Sequence, residues 1–155
     1  DSINSDKRIS GGFMEKRVSS RGIIIENNKV IAMFRRKVKD DGSVKEYYVI
    51  PGGGLEEGET LEYSVKRELK EEFSVDIEIL GYLGQDEGEN SIAHFFSCKI
   101  IDGVPKLGGE ELERCSKENY YEIRKISIDD IDKIDILSKN MIKKAYKKEY
   151  VKLLK

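Results

Sequence analysis

A chain of 155 residues with 38% hydrophobic and 37% charged side chains is long enough for one packed domain and short for two. Its 28 Lys and Arg against 30 Asp and Glu leave a net charge of −2, which excludes the basic excess of a dedicated nucleic-acid binder but not a local phosphate site. No apolar run reaches the roughly 18 residues of a membrane-spanning helix, and the polar opening DSINSDKRISGGF lacks the hydrophobic segment of a secretory signal.

In chain order, residues 1–13 read as a flexible lead-in or a non-native remnant, and 14–155 as a single domain. Val18, Ile23, Ile24 and Ile25 form a strand, Asn27-Asn28 a tight hairpin turn, and Val30 to Phe34 the return, which ends in Arg35-Arg36-Lys37. A polar loop over 39–43 leads to a strand over 47–50, stopped by Pro51. Leu61, Val65, Leu69 and Phe73 recur every four residues, the stripe of an amphipathic helix.

Residues 75–80 and 92–101 read as strands, with an acidic loop over 85–90 between them. Residues 102–119, with Gly103, Pro105, Gly108 and Gly109, read as mostly loop, and 120–128 as a last strand. Ser127 is placed to cap a short helix over 129–134, and residues 138–154 carry a long amphipathic helix with Leu154 on its apolar side. Strands and helices in this order predict an α/β sandwich around one sheet. Cys98 and Cys115 show neither metal-ligand spacing nor a disulfide framework, so they read as reduced thiols of a cytoplasmic protein.

The chemistry concentrates in PGGGLEEGETLEYSVKRELKEEFSV, residues 51–75. Glu68, Glu71 and Glu72 stand at i, i+3 and i+4, so they share one side of the helix and repel one another. A hard divalent cation, Mg²⁺ or Mn²⁺, relieves that repulsion, because both prefer carboxylate oxygen and water. Gly52, Gly53 and Gly54 let backbone approach a ligand closely, and Arg67 is positioned to pair with Glu59 or with loop carbonyls. Glu62 and Lys66 form an ordinary i, i+4 surface pair, and a charge run by itself reads as a solvated face. The joint spacing of Gly53, Glu59, Arg67, Glu68, Glu71 and Glu72 is different, since chance produces it on the order of once in ten thousand such chains.

Residues 53–75 resemble the signature of the Nudix (MutT-like) hydrolases, G-x5-E-x7-R-E-U-x-E-E-x-G-U, where U is bulky and aliphatic. Gly53, Glu59, Arg67, Glu68, Leu69, Glu71, Glu72 and Val75 match, as does the proline-glycine entry at Pro51-Gly52. The one departure is Ser74 where the family has Gly; a left-handed Ser costs roughly 1 kcal/mol and removes no carboxylate. The resemblance implies an α/β/α sandwich around a mixed β-sheet. It also implies Mg²⁺-dependent hydrolysis of a phosphoanhydride in a nucleoside diphosphate derivative, with Mn²⁺ as a substitute. The implied substrates are nucleoside triphosphates, oxidised nucleotides, nucleotide sugars, ADP-ribose and dinucleoside polyphosphates.

Carried onto this chain, Glu68, Glu71 and Glu72 hold the metal, Arg67 orients Glu68, and Glu59 and Gly53 are accessory. Glu68, Arg67 and Glu71 are the catalytic candidates. The general base is Glu68 or a distal loop acid: Glu110, Glu111 and Glu113 first, Glu87 and Glu89 next. Arg35 and Tyr48 are candidates for the substrate. Tyr47, Tyr82, Tyr120 and Tyr121 are candidates for stacking on a base.

The single His94 leaves no histidine metal cluster to build. The expected partner is a nucleotide-derived small molecule, without nucleic acid or membrane, acting on a monomer or homodimer. The competing readings are a catalytically silent nucleotide sensor of the same fold and a Glu-rich helical interaction protein.

Overall fold

A computed structural model describes residues 9–10 and 13–153, with side chains described for 15–109 and 112–153. Strands β1 (Ile9–Ser10) and β2 (Phe13–Met14) pair with each other. The rest of the expected lead-in, and Leu154, lie outside the described residues.

Ile23 and Ile24 are both fully buried because they point to opposite faces of β3 (Arg17–Glu26), and each face is covered. Asn27 and Asn28 (φ 54° and 62°) make the primed turn that returns the chain as β4 (Lys29–Val38). After β5 (Val44–Val49) and β6 (Gly52–Gly54) come helix α1 (Leu61–Phe73) and the long hairpin β7 (Asp76–Glu87) and β8 (Ser91–Asp102). Then follow α2 (Gly109–Arg114), β9 (Asn119–Ser127), a 3₁₀ turn (Ile128–Lys133) and α3 (Lys139–Lys147).

The sheet runs β5-β4-β3-β8-β7, with β6 added to β3 and β9 to β4. The β3–β8 pair is parallel and the other pairings are antiparallel, so the sheet is mixed. One face packs Ile24, Ile31 and Phe96 against Val65, Leu69 and Phe73 of α1. The other packs Ile23, Val30 and Phe95 against Met141, Ile142 and Ala145 of α3. This is the expected α/β/α sandwich.

The topology opens a gap. β3 and β4 pair at Ile25–Val30 and Glu26–Lys29, beside their turn, and then diverge. Further along, β6 occupies the β3 edge and β9 the β4 edge. The candidate site lies in the gap between these two half-sheets.

Three expectations need correction. The loop over 85–90 shrinks to 88–90, because β7 keeps pairing with β8 as far as Glu87–Ile92. Residues 102–119 are mostly loop, but the short helix α2, which was not expected, forms within them. The last helix ends at Lys147, where Lys148 turns left-handed (φ 58°). The tail then lies on the outer edge of β7, with Val151 N–H donating to Tyr82 O at 2.8 Å. The Tyr150 ring sits where a side chain on Gly81 would stand. Apolar residues continue past 147, so the composition looked helical, but the sheet edge competes for them.

Candidate active site

Helix α1 is fixed at both ends. Thr60 Oγ1 accepts from Tyr63 N–H at 3.1 Å, and Ser74 takes the left-handed cap (φ 61°) with its N–H on Lys70 O. Ser74 Oγ also donates to Lys106 O at 3.2 Å, so serine is seated where the family pattern has glycine. Val65, Leu69 and Phe73 are fully buried, which turns the acidic side of the helix toward a cleft of about 910 Å³. That cleft is lined by Glu68, Glu71 and Glu72 from α1, by all of β6, and by Arg17, Ser19 and Arg21 from β3.

Arg67 is the brace. Its Nε and Nη2 grip the two oxygens of Glu59, the latter at 2.9 Å. Its Nη1 lies 3.3 Å from Glu68 Oε2 and 3.2 Å from Glu71 Oε1. A planar guanidinium can serve a bidentate pair and two further carboxylates at once, which an ammonium cannot. The hydrogen bond from Arg67 holds the Glu59 carboxyl below the ordinary carboxylate range, against the upward pull of burial. The same bond raises the Arg67 pKa. Glu59 also accepts from Glu56 N–H at 2.8 Å, which ties the loop to the helix.

Gly53 has a specific task. The Glu68 carboxylate packs onto its backbone, and a methyl group there would overlap both carboxylate oxygens. Gly52 takes a positive φ of 147°, and a side chain on it would strike Ser20 O and Arg21. The candidate accessory residue Gly53 thus lies in close contact with Glu68.

The oxygen-only donor set suits a hard divalent cation. Among the described residues, no three His, Cys, Asp or Glu side chains converge into a ready-built metal cage. Arg67 accounts for part of this, since it already bonds Glu68 and Glu71. Mg²⁺ in any case is commonly bound by one or two carboxylates together with water and substrate phosphates, so separate carboxylates at a cleft rim fit it.

Arg21 is a site residue that the sequence reading missed. Its Nη1 donates to Ile50 O at 2.8 Å, and it lines the cleft near Glu72 and Glu68. Burial lowers its pKa, and the two acids partly restore it. The available signal was a lone arginine in the otherwise uncharged run SSRGIII.

Tyr48 lines the cleft, its hydroxyl accepting from Arg124 Nη1 at 3.1 Å. Arg35 does not line it. Its guanidinium lies 4.6 Å from the Tyr121 ring centre and 5.4 Å from that of Tyr47, and Nη2 donates to Tyr121 Oη. Cross-strand register explains this, because Tyr47 and Tyr121 flank Arg35 on one face.

Of the distal acids, Glu113 is exposed on α2, and the side chains of Glu110 and Glu111 lie outside the described residues. Gly109, the first residue of α2, reaches the cleft beside Glu71 O. Glu87 is paired with Lys16. His94 Nδ1 sits 2.8 Å from Tyr82 Oη, and burial lowers its pKa. Burial pushes the Cys98 thiol up to about 12, so it behaves as an inert core residue, and both cysteines are free.

Fold and site together define a class: an α/β sandwich that presents a braced carboxylate helix at the rim of a cleft. The family model of the NUDIX domain matches residues 16–144, and the chain belongs to the Nudix family. Members of that family generally use a divalent metal. The chain is 30% identical over 107 residues to the ADP-ribose pyrophosphatase of Methanocaldococcus jannaschii, covering 65% of this chain and 61% of that protein. It is 45% identical over 56 residues to the 8-oxo-dGTP diphosphatase of Buchnera aphidicola subsp. Schizaphis graminum, covering 36% of this chain and 41% of that protein. The chain thus spans less than two thirds of the length of either relative. The crystal structure of an ADP-ribose pyrophosphatase from Streptococcus suis has the same fold, with a TM-score of 0.61 at 15% identity over 90% of this chain and 96% of that one. Among the described residues no helix is long and apolar enough to cross a membrane.

Proposed function

We propose that this chain is a Nudix pyrophosphohydrolase that cleaves a phosphoanhydride bond in a nucleoside diphosphate derivative, using Mg²⁺ or Mn²⁺. The observation that carries the reading is the brace: one guanidinium grips buried Glu59 and touches both Glu68 and Glu71 at the cleft wall. A solvated charge run has no need of a buried anchor, whereas a site that must present carboxylates in one orientation does.

Glu68, Glu71 and Glu72 are the residues that would hold the metal. When bound, a divalent cation polarises phosphoryl oxygens and makes water a nucleophile near neutral pH. The chain's own part is positional. Arg67 fixes Glu68 and Glu71 relative to the loop, and the bare Gly53 backbone allows Glu68 to sit close against β6. Arg21 supplies positive charge from the floor, where a diphosphate crossing β6 meets it. The cleft's aromatic lining, Tyr47, Tyr48 and Phe95, offers apolar surface to the nucleoside. Ser74, the departure from the family pattern, is accommodated in its cap without touching a carboxylate, so it lends a catalytically silent sensor of the same fold no support.

The test is nucleotide release with Mg²⁺ across a panel, with ADP-ribose and an oxidised deoxynucleoside triphosphate first because the relatives' names point there. We expect turnover of at least one substrate that chelation abolishes. Failure on every substrate, or full activity in Glu68→Gln, would sink the reading.

A further inference from the structure

The cleft has a second face, of whose charges the hydrolase reading uses Arg21 alone. Ser20 Oγ donates to Leu61 O of α1, so Ser20 points toward the helix that carries the acids. By strand alternation Arg17, Ser19 and Arg21 point to the opposite side of the sheet. Parallel register on β8 sets Ser91 beside Arg17, Ala93 beside Ser19 and Phe95 beside Arg21, and all six residues line the cleft. On the other flank of β3, Gly54 pairs with Ser19 and Gly52 with Arg21, so no side chain from β6 overhangs the row.

The result is an open floor of small residues with an arginine at each end. Four residues of strand separate the two α-carbons by about 13 Å. The two cations repel, and Arg17 adds to the lowering of the Arg21 pKa. Arg21 is committed to Ile50 O and sits near Glu68 and Glu72, at the acid end. Arg17 is exposed, and its guanidinium has no hydrogen bond or ion pair among the described residues.

We propose that Arg17 anchors a second anion subsite, so that the cleft selects nucleoside diphosphate derivatives whose second moiety carries a further phosphate. The inference rests on the hydrolase reading for where the diphosphate lies, and adds what the remote end of the substrate must bear. A substrate that crosses β6 places its diphosphate at the acids and extends its second moiety along Ser19 and Ala93. Its far phosphate then meets the Arg17 guanidinium, which suits phosphate oxygens through bidentate hydrogen bonds.

The experiment is calorimetry on the full chain in the Glu68→Gln background with Mg²⁺, where ligands stay intact. The probes are ADP-ribose, ADP-ribose phosphorylated on its terminal ribose, and diadenosine tetraphosphate. We expect at least one phosphate-rich ligand to bind about tenfold tighter than ADP-ribose, as a charge-assisted contact provides. Arg17→Ala brings that ratio close to one, and Arg17→Lys keeps part of it. An advantage confined to the phosphorylated ADP-ribose assigns the subsite to a terminal phosphomonoester, and one confined to the tetraphosphate assigns it to a phosphate chain.

Equal affinity for all three ligands, no binding of any, or a preference that survives Arg17→Ala overturns the proposal. The fold does not depend on this side chain, since Arg17 N–H bonds Asn90 O and the guanidinium is exposed. Failure of the hydrolase reading would appear separately, as absence of turnover of all three ligands by the unsubstituted protein.

Discussion

The two walls of the cleft are built in opposite ways. On the α1 side one guanidinium ties the acids together: Arg67 bonds Glu59, Glu68 and Glu71, and Glu59 bonds the Glu56 backbone. On the β3 side Arg21 is held at one end of an open floor and Arg17 projects from the other. Reaction geometry needs carboxylates held to within fractions of an ångström, so that wall is internally bonded. Recognition of a variable second moiety needs charge without bulk, so the other wall keeps its charges apart on small residues. The contrast also explains which wall the amino-acid sequence discloses.

Substitutions can break this contrast, beginning with the largest effect. Glu68→Gln removes a ligand charge and should lower kcat by about a thousandfold while thermal stability holds, measured as Mg²⁺-dependent nucleotide release beside a melting curve. Gly53→Ala puts a methyl group into the Glu68 carboxylate, so kcat should fall by about ten- to a hundredfold with KM little changed.

Glu59→Gln tests the brace through stability. The Glu59 side chain is 7% exposed, and losing its charge-assisted pairing should cost about 2 kcal/mol at neutral pH, read from urea midpoints. The sign with pH follows from the depressed carboxyl. Its stabilisation is fully present above the unfolded value of about 4.3 and is lost as pH falls through the lower native value. The unsubstituted protein should therefore lose more stability between about pH 5 and about pH 3 than Glu59→Gln does, and parallel curves would contradict the brace.

Ser74→Gly should act least. It relieves a left-handed serine at φ 61° but gives up the Lys106 contact, for a net gain under about 1 kcal/mol and unchanged kcat.

The acid wall was legible because its parts are close in the chain. Glu59 and Arg67 meet across one turn of loop and two turns of helix, and Leu61, Val65, Leu69 and Phe73 set the helix face by period. Asn27-Asn28 likewise announced its own primed turn. The basic floor was not legible, because it depends on parallel register between β3 and β8, whose paired residues, such as Arg21 and Phe95, lie 74 positions apart in the chain. Nothing near Arg17 or Arg21 reveals that Ser91 and Phe95 lie beside them. Arg35 shows the reverse case: its position at a strand end suggested a phosphate, and the register brings cross-strand tyrosines against its guanidinium. The last helix was overextended because Tyr150 and Val151 look helical by composition and are used by a sheet edge instead.

That sheet edge has a consequence for how copies of the protein behave toward one another. β7 is a twelve-residue outer strand, and bare strands of that length invite a second chain to add to them. The tail laid over Tyr82 and Gly81 occupies part of the row of main-chain groups that such a neighbour would need. The left-handed turn at Lys148 thus does more than stop a helix: it directs residues 149–151 onto an edge where another strand could otherwise pair.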